Sequence, residues 1–317
     1  KKGDGYSEEN TWRVGARVQE ESMGKEYDFF KDKGLHNESI DLGFNHKSGL
    51  FVNGGYTRNN HGGWQGDLTG REKRWHPKDQ ALMNGMFGFQ NRNMNVWYRL
   101  DFLDEKIFGP NNGSELQPEK VSDKDFLTKR YTHQLQSDWK LDNRLDVHAA
   151  LSYQDYKRRT RTTESDLSTG EKWLSSAEAS QDITQYKAWI ARATVAWNIA
   201  PEFSVQPGVE YQWTQGEGGR IDGTPKVSDL AFFLSAEYKP WEWLSLRPGV
   251  RTFIVADYDA PIAIPSVLTK FKLTKHMDLR LSYAYGFRSP TLQELYFSFH
   301  NDNHNIDGNP DLKAEYS

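Results

Sequence analysis

The chain of 317 residues contains no cysteine. No disulfide framework and no thiolate metal site can be built from it. It has little excess charge of either sign, with a net charge of −4, which argues against a strongly basic nucleic-acid binder. It lacks long apolar runs: Ala231-Phe232-Phe233-Leu234 falls far short of the ~18 consecutive apolar residues of a membrane helix. No cationic n-region and apolar h-region follow Lys1, so no signal peptide is read within the chain. There is no His-Glu-x-x-His, no Gly-x-Ser-x-Gly and no P-loop, so no enzyme reading has residues to stand on.

What the chain does have is polarity and aromatic rings together. Mean hydropathy is −0.83, yet aromatic residues make up 14% of the sequence, with 11 tryptophans. Disordered chains share the polarity but are poor in rings. A transmembrane β-barrel reconciles the two, with a polar lumen, polar loops, an apolar outer face and aromatic girdles.

Period-two alternation dominates. Leu279, Leu281, Tyr283, Tyr285 and Phe287 alternate with polar or small residues, and so do Leu145, Val147, Ala149, Leu151 and Tyr153. The same holds for Val205, Val209, Tyr211 and Trp213, and for Met94, Val96, Tyr98, Leu100 and Phe102. Each run matches the ~9–11 residues that a tilted strand needs to cross a bilayer. The pattern predicts about thirteen strands, with ends uncertain by roughly 2–4 residues. They lie near 11–21, 38–47, 49–59, 83–91, 93–105, 129–141, 144–158, 184–199, 203–216, 228–240, 244–257, 262–275 and 277–288. No segment has an amphipathic helix period.

The connections alternate in length. Long ones are predicted over 22–37, 60–82, 106–128 and 159–183, with an intermediate one over 217–227. Tight ones fall at His46-Lys47-Ser48, Asn91-Arg92-Asn93, Leu141-Asp142-Asn143, Ile199–Glu202, Pro240–Glu242 and Lys275-His276. The brief connection near Asp259-Ala260-Pro261 breaks the pattern. Long loops at one end and short turns at the other are the mark of an outer-membrane barrel, with the long loops outside the cell. The thirteenth strand then points outward and 288–317 becomes the seventh external loop. An odd strand count and an unclosed sheet make the expectation an all-β, antiparallel, partial barrel over 11–317.

The last of these loops carries two spaced motifs: Gly286-Phe287-Arg288-Ser289-Pro290-Thr291-Leu292 with Glu294-Leu295-Tyr296-Phe297, then Gly308-Asn309-Pro310-Asp311-Leu312-Lys313-Ala314-Glu315. Together they resemble the signature of TonB-dependent outer-membrane receptors, and Phe287, Arg288, Pro290, Asn309, Pro310 and Leu312 carry the resemblance. It implies a barrel of about 22 strands around an N-terminal plug. The plug and the segment that contacts TonB would precede Lys1, residues 1–10 would be the exit from that plug, and roughly nine strands would follow Ser317. It also implies active import, across the outer membrane of a Gram-negative cell, of a scarce nutrient: haem or a ferric siderophore first, cobalamin or another nutrient as the alternative. Haem and siderophore enter here as transported ligands, and no permanently bound cofactor is expected. A surface lipoprotein is a further partner on this reading. A passive porin or adhesin barrel is the competing class.

Haem receptors of the family place a ligating histidine between Phe-Arg-Ala-Pro and Asn-Pro-Asn-Leu. Here Ser289 and Asp311 replace Ala and Asn, and His300 and His304 both lie between the motifs. A neutral imidazole is a good axial ligand for haem iron, which makes His300 a candidate metal ligand beside His304. Tyr296 and Phe299 could stack on a porphyrin; loop packing is the competing use of those rings. The loop over 58–80 adds His61, Trp64, Trp75 and His76, suited to ligand contact or to anchoring at the membrane surface. "YKRRTRTT" (156–163) could take lipopolysaccharide phosphates or stand as a solvated loop base. Arg288 is expected to pair with Glu294 or Glu315. Arg99, Asp101, Arg247, Arg251 and Arg280 fall on the polar face and should line the lumen.

Overall fold

The computed structural model describes residues 9–177, 179–255, 260–301 and 304–317. Residues 1–8 of the plug exit expected over 1–10 and part of the turn near Asp259 therefore lie outside the described residues. The described chain is one 14-stranded sheet in sequence order, with two small two-stranded sheets beside it. The strands are β1 (Thr11–Glu21), β2 (Leu35–Asn45), β3 (Leu50–His61), β4 (Lys78–Gln90), β5 (Met94–Gly109), β6 (Lys120–Lys140) and β7 (Leu145–Asp166). They continue with β8 (Lys172–Leu174), β9 (Ile183–Ala200), β10 (Phe203–Glu217), β11 (Lys226–Trp241), β12 (Leu244–Val255), β13 (Ile264–Lys272) and β14 (Asp278–Ala284). Every pairing is antiparallel between neighbours in sequence, save that β8 hangs on β7 and β9 takes the next place in the sheet. This is the meander that period-two alternation and tight turns dictate.

One face of the sheet is predominantly apolar, interrupted by a few polar residues such as His133 and Ser137. Across it Trp12 meets Phe44, Phe87 meets Tyr98, Phe102 meets Tyr131, Tyr153 meets Trp189, Phe203 meets Tyr238 and Phe271 meets Leu279. The large side chains of this stripe stand exposed, Trp12 at 77% and Phe87 at 60%. In water such a surface would aggregate; against lipid it is the required solvent face. Fully buried apolar side chains are accordingly few among the described residues: Leu103, Val121, Ile221, Ala231, Leu292, Leu295 and Ala314. The wall is held by its backbone ladder, which in a bilayer must satisfy every amide and carbonyl.

The apolar stripe has two edges. At the short-turn end lie Trp12 on Phe44, Trp139, Trp197, and Trp241 stacked on Trp243 at 5.1 Å. Toward the long loops the stripe changes chemistry without changing parity: Val18 gives way to Glu20, Ile40 to Glu38, Tyr56 to Arg58, Phe102 to Asp104, Tyr131 to Lys129 and Trp189 to Lys187. From Trp139 to Tyr131 is eight residues, roughly 26 Å of strand, which a tilt of about 40° reduces to ~20 Å, compatible with an apolar band of ~25 Å.

Several strands outrun the expectation at the loop end. β4 begins at Lys78 and not near 83, β6 at Lys120 and not near 129, and β7 runs to Asp166 and not 158. The loops are correspondingly shorter, and the one after β7 contains β8. Above the membrane neither face must be apolar, so alternation fades while the ladder continues. β14 conversely stops at Ala284, short of the expected 288.

The opposite face is polar and faces the lumen. Arg99 binds Asp101 at 2.6 Å, Arg247 approaches Glu237 at 3.3 Å, and Lys270 meets Asp278 at 2.9 Å. Glu210, 9% exposed in its side chain, sits between Arg251 at 2.6 Å and Arg192 at 3.6 Å. Both arginines lie over the Phe233 ring, at 4.9 Å for Arg192 and 5.8 Å for Arg251. That ring has room because residue 208 opposite is glycine: a Cβ there would come within 2.2 Å of Phe233 Cζ.

Candidate functional site

Beyond β14 the chain folds into a small unit built by the two sequence motifs. Phe287–Arg288 (β15) pairs with Glu315–Tyr316 (β18), and Phe287 rests on Phe253 at 5.0 Å. The short helix α1 (Leu292–Tyr296) was not foreseen, because five residues are too few to show a period. It starts on a capping box: Thr291 accepts from the Glu294 amide, and the Glu294 carboxylate accepts from the Thr291 amide at 2.8 Å. Pro290, Leu292 and Leu295 are buried beneath it.

Arg288 holds this unit together. It donates to Glu294 at 3.0 and 3.1 Å and to Glu315 at 2.8 and 2.9 Å, so it takes both partners proposed for it. The guanidinium, with help from Thr291, pulls the Glu294 pKa down to about 2. Glu315 is lowered by the same arginine. The second motif closes on the first: the Gly308 amide donates to Phe297 O at 2.6 Å and the Asn309 amide to Glu294 O at 2.9 Å. Asn309 Oδ1 accepts from the Asp311 amide across Pro310, and Leu312 is half-buried. A side chain at residue 308 would come within 2.7 Å of the Leu295 carbonyl. These motif residues build the loop.

The unit reaches across to the loop between β10 and β11. Ile221 bridges Phe297, Asp222 N donates to Tyr296 O and Ser298 N to Arg220 O, each at 3.0 Å. Gln293 Nε2 donates to the Tyr186 hydroxyl at 2.9 Å. Between this cover and the tops of β6, β7 and β9 is a cavity of about 550 Å³, large enough for a drug-sized ligand. Its lining is cationic and aromatic: Lys124, Arg158 and Arg220 with Phe126, Tyr156, Tyr186 and Phe297, and Asp182 as the single acid. Arg158 lies 4.4 Å over Phe126, and Arg220 4.3 Å over Phe299.

The expected site residues do not gather in one place. Phe299 touches the cavity's rim through Arg220, and Tyr296 contributes a carbonyl to the cover. His300 lies on β16 (Ser298–Asn301), paired with β17 (His304–Asp307), and its Nε2 sits 2.9 Å from Asp307 Oδ1. His304 pairs through its backbone with Asn301, and its side chain lies outside the described residues. His61, Trp64, Trp75 and His76 do cluster. Trp64 and Trp75 form a bridge with rings 5.5 Å apart, His61 is 6.0 Å from Trp75, and His61 Nδ1 is 3.4 Å from His76 O. With Lys78, Asn59 and Ile107, three of them line another cavity of about 550 Å³ on the lumen side, which shares no residue with the first.

Of the basic run at 156–163, parity from the lipid-facing Tyr153 turns Tyr156 and Arg158 inward and Lys157 and Arg159 outward. The run is therefore not one patch, since parity divides it between the two faces, a signal already present in the alternation that ends at Tyr153. Arg220 offers no such signal, since its place depends on packing against residues 292–298.

Residues 206–317 match the family described as TonB dependent receptor-like, beta-barrel. No curated protein matches the chain significantly. Among solved structures, the ferric enterobactin receptor PfeA of Pseudomonas aeruginosa aligns at TM-score 0.66 and 14% identity, over 98% of this chain and 50% of its own. The siderophore receptor PirA of the same organism aligns at TM-score 0.68 and 11% identity, over 98% and 51%. The copper transporter OprC aligns at TM-score 0.67 and 12% identity, over 97% and 51%. Identities this low establish a shared fold, and the chain spans about half the length of these structures.

Proposed function

We propose that this chain, a β-barrel of the TonB-dependent receptor family, serves in the outer membrane of a Gram-negative bacterium to import an anionic iron chelate with flat unsaturated groups, a ferric siderophore. The observation that carries this reading is the cavity beneath the 286–317 unit. Three cations and four aromatic rings face one acid across a space of about 550 Å³. A negatively charged chelate would gain charge-assisted hydrogen bonds from Arg158, Arg220 and Lys124. Its rings would stack on Phe126, Tyr156 and Tyr186. Gln293 and Phe297 reach the cavity from the motif-built unit, so a bound ligand would press on a rigid body fixed at Arg288. Coupling through a plug to TonB, and any surface lipoprotein, belong to the same proposal.

Haem fits less well. His300 is not among the residues lining this cavity, and its Nε2 lies 2.9 Å from Asp307 Oδ1 in an exposed pair, so an iron ligated there would lie outside the cationic pocket. The outer face of β7, with Lys157 and Arg159 exposed just above Tyr153, would sit among lipopolysaccharide phosphates.

The test is a titration of the full-length protein in detergent with a trianionic ferric tris-catecholate, followed by tryptophan quenching, beside haemin followed in the Soret band. Arg158→Ala and Arg220→Ala should each weaken the catecholate about tenfold, the ~1.4 kcal/mol at the lower end for a charge-assisted hydrogen bond. Unchanged affinity in the double variant, or haemin binding tighter than the chelate, would overturn the assignment.

A further inference from the structure

A second cluster lies on the outer wall, under the first external loop. Glu20 at the end of β1 is paired in register with His36 at the start of β2, and Glu38 follows two residues later on the same face. One ligand atom from each lies within 4.8 Å of the other two. His36 is fully buried, an unusual place for imidazole. Loop residues close the site from above. Tyr27 covers His36 with ring centroids 6.3 Å apart, and its hydroxyl donates to Glu20 Oε2 at 3.2 Å.

The histidine is oriented as a metal ligand would be. Nε2 lies 3.1 Å from the Lys33 carbonyl, the outer partner that fixes a tautomer. Nδ1 lies 2.6 Å from Glu20 Oε2, a separation that needs a proton shared between the two, and loss of that proton would free the Nδ1 lone pair for an ion. That same carboxylate oxygen already accepts from Tyr27 and the Phe30 amide. Glu20 Oε1 and both Glu38 oxygens are buried without any hydrogen-bond partner. Arg58 approaches Glu38 only to 3.6 Å. Glu20 Oε1 and Glu38 Oε2 have no polar partner among the described residues and Glu38 Oε1 has only the distant Arg58, and buried carboxylate oxygens beside an imidazole are costly unless something cationic completes them.

We propose that Glu20, His36 and Glu38 bind a divalent transition metal of the zinc class, with Nδ1 of His36 and one oxygen of each glutamate as ligands. Two carboxylates balance the ion's charge, and one nitrogen with oxygens favours zinc or manganese over calcium or magnesium. The ion would pin the loop over 22–34 to the wall, just above the lipid boundary between Val18 and Glu20. The site is independent of the mouth cavity and of any imported ligand.

The experiment uses the full-length protein in detergent, stripped with a chelator and dialysed. Zn²⁺ binding is measured by calorimetry, and Co²⁺ is added to the same protein for its visible absorption. One saturable Zn²⁺ site is expected, with a Co²⁺ spectrum of a low-coordinate nitrogen–oxygen site and slower tryptic cleavage at Lys31 and Lys33. Glu38→Gln and Glu20→Gln, which keep shape and lose charge, should each weaken Zn²⁺ at least about tenfold. His148→Gln, which breaks another histidine–aspartate pair at 2.8 Å on the lumen wall, should leave it unchanged. No saturable binding to the unaltered protein would overturn the proposal, as would glutamine variants that bind as tightly as the parent.

Discussion

Removing the Glu210 carboxylate tests how the lumen wall is stabilised. Glu210→Ala deletes a 2.6 Å charge-assisted bond to Arg251, a 2.9 Å bond from Gln212 and a 3.6 Å approach from Arg192. The first contributes about 1.5–3 kcal/mol and the second about 1 kcal/mol. Arg192 is 52% exposed, so its pair adds little more than ~0.5 kcal/mol. Leaving a buried charge without its partner costs ~3–5 kcal/mol, but Arg251 keeps 28% exposure and its stacking on Phe253, which lowers the expected loss to about 3 kcal/mol. Arg251→Ala should match or exceed it, because it strands a carboxylate that is only 9% exposed and also loses the ring contact. Arg192→Ala should cost about 1 kcal/mol. The double variant lacking Glu210 and Arg251 should cost at least ~1 kcal/mol less than the sum of the two single changes. The assay is urea unfolding of the full-length protein in lipid vesicles, followed by tryptophan emission. A Glu210→Ala loss under ~0.5 kcal/mol, or strict additivity of the pair, would refute the reasoning.

Other perturbations follow from the same geometry. Leu135→Arg places a charge on the lipid face between Tyr98 and Leu151 and should cost ~2–4 kcal/mol in that assay, whereas Gln136→Arg on the lumen face should cost under ~1 kcal/mol; equal losses would contradict the assigned faces. The Arg288 clamp should loosen in acid. Its two carboxylates have depressed pKa values, so their contribution is complete above about 4.5, the ordinary value, and fades as pH falls toward about 2 for Glu294. Protease cleavage within 291–317 should accelerate over that window and not between pH 5 and 8; flat rates down to pH 2 would sink the idea. Thr291→Ala removes the cap of α1 at ~1 kcal/mol, read as roughly fivefold faster exchange of the amides that open with the helix, and an unchanged rate would mean that the cap contributes nothing.

The barrel was legible because lipid imposes a rule on every second residue. Val205, Val209, Tyr211 and Trp213 announced β10, and the tight turn at His46-Lys47-Ser48 announced the β2–β3 hairpin. The Arg288 pairs were legible too, since one arginine and two glutamates framed by proline and glycine turns had few other partners. Legibility ended where the rule did. The tops of β4, β6 and β7 carry polar residues on both faces, so 78–82, 120–128 and 159–166 looked like loop. The cavity at the mouth was hidden for the same reason. Arg158 could be turned inward by counting from Tyr153, but Arg220 and Gln293 meet it only through contacts distant in sequence. Glu20 and His36 are sixteen positions apart, and only the register of β1 on β2 brings them together.

The boundary itself can nevertheless be read, once parity is followed past the last apolar residue. On the lipid-facing column of five strands the chemistry changes from apolar to charged at one step: Val18 to Glu20, Ile40 to Glu38, Tyr56 to Arg58, Tyr131 to Lys129, Trp189 to Lys187. The register then places these steps beside one another, since Val18 opposes Glu38, which in turn opposes Arg58. On these three strands the changes therefore form a continuous line. Below that line a side chain on the outer face has only lipid to answer to, and any charge there would cost ~2–4 kcal/mol at the midplane. Above it, charge is free to assemble with purpose, and both candidate sites lie there. The Glu20–His36–Glu38 cluster begins at the first residue past the line on β1 and β2. Arg158 and Lys124 continue the inner face of β7 and β6 beyond it. Strands that outlast the membrane thus carry the rigid register of the wall into the aqueous layer, and it is this register, more than the loops, that sets charged side chains within ligand distance of one another.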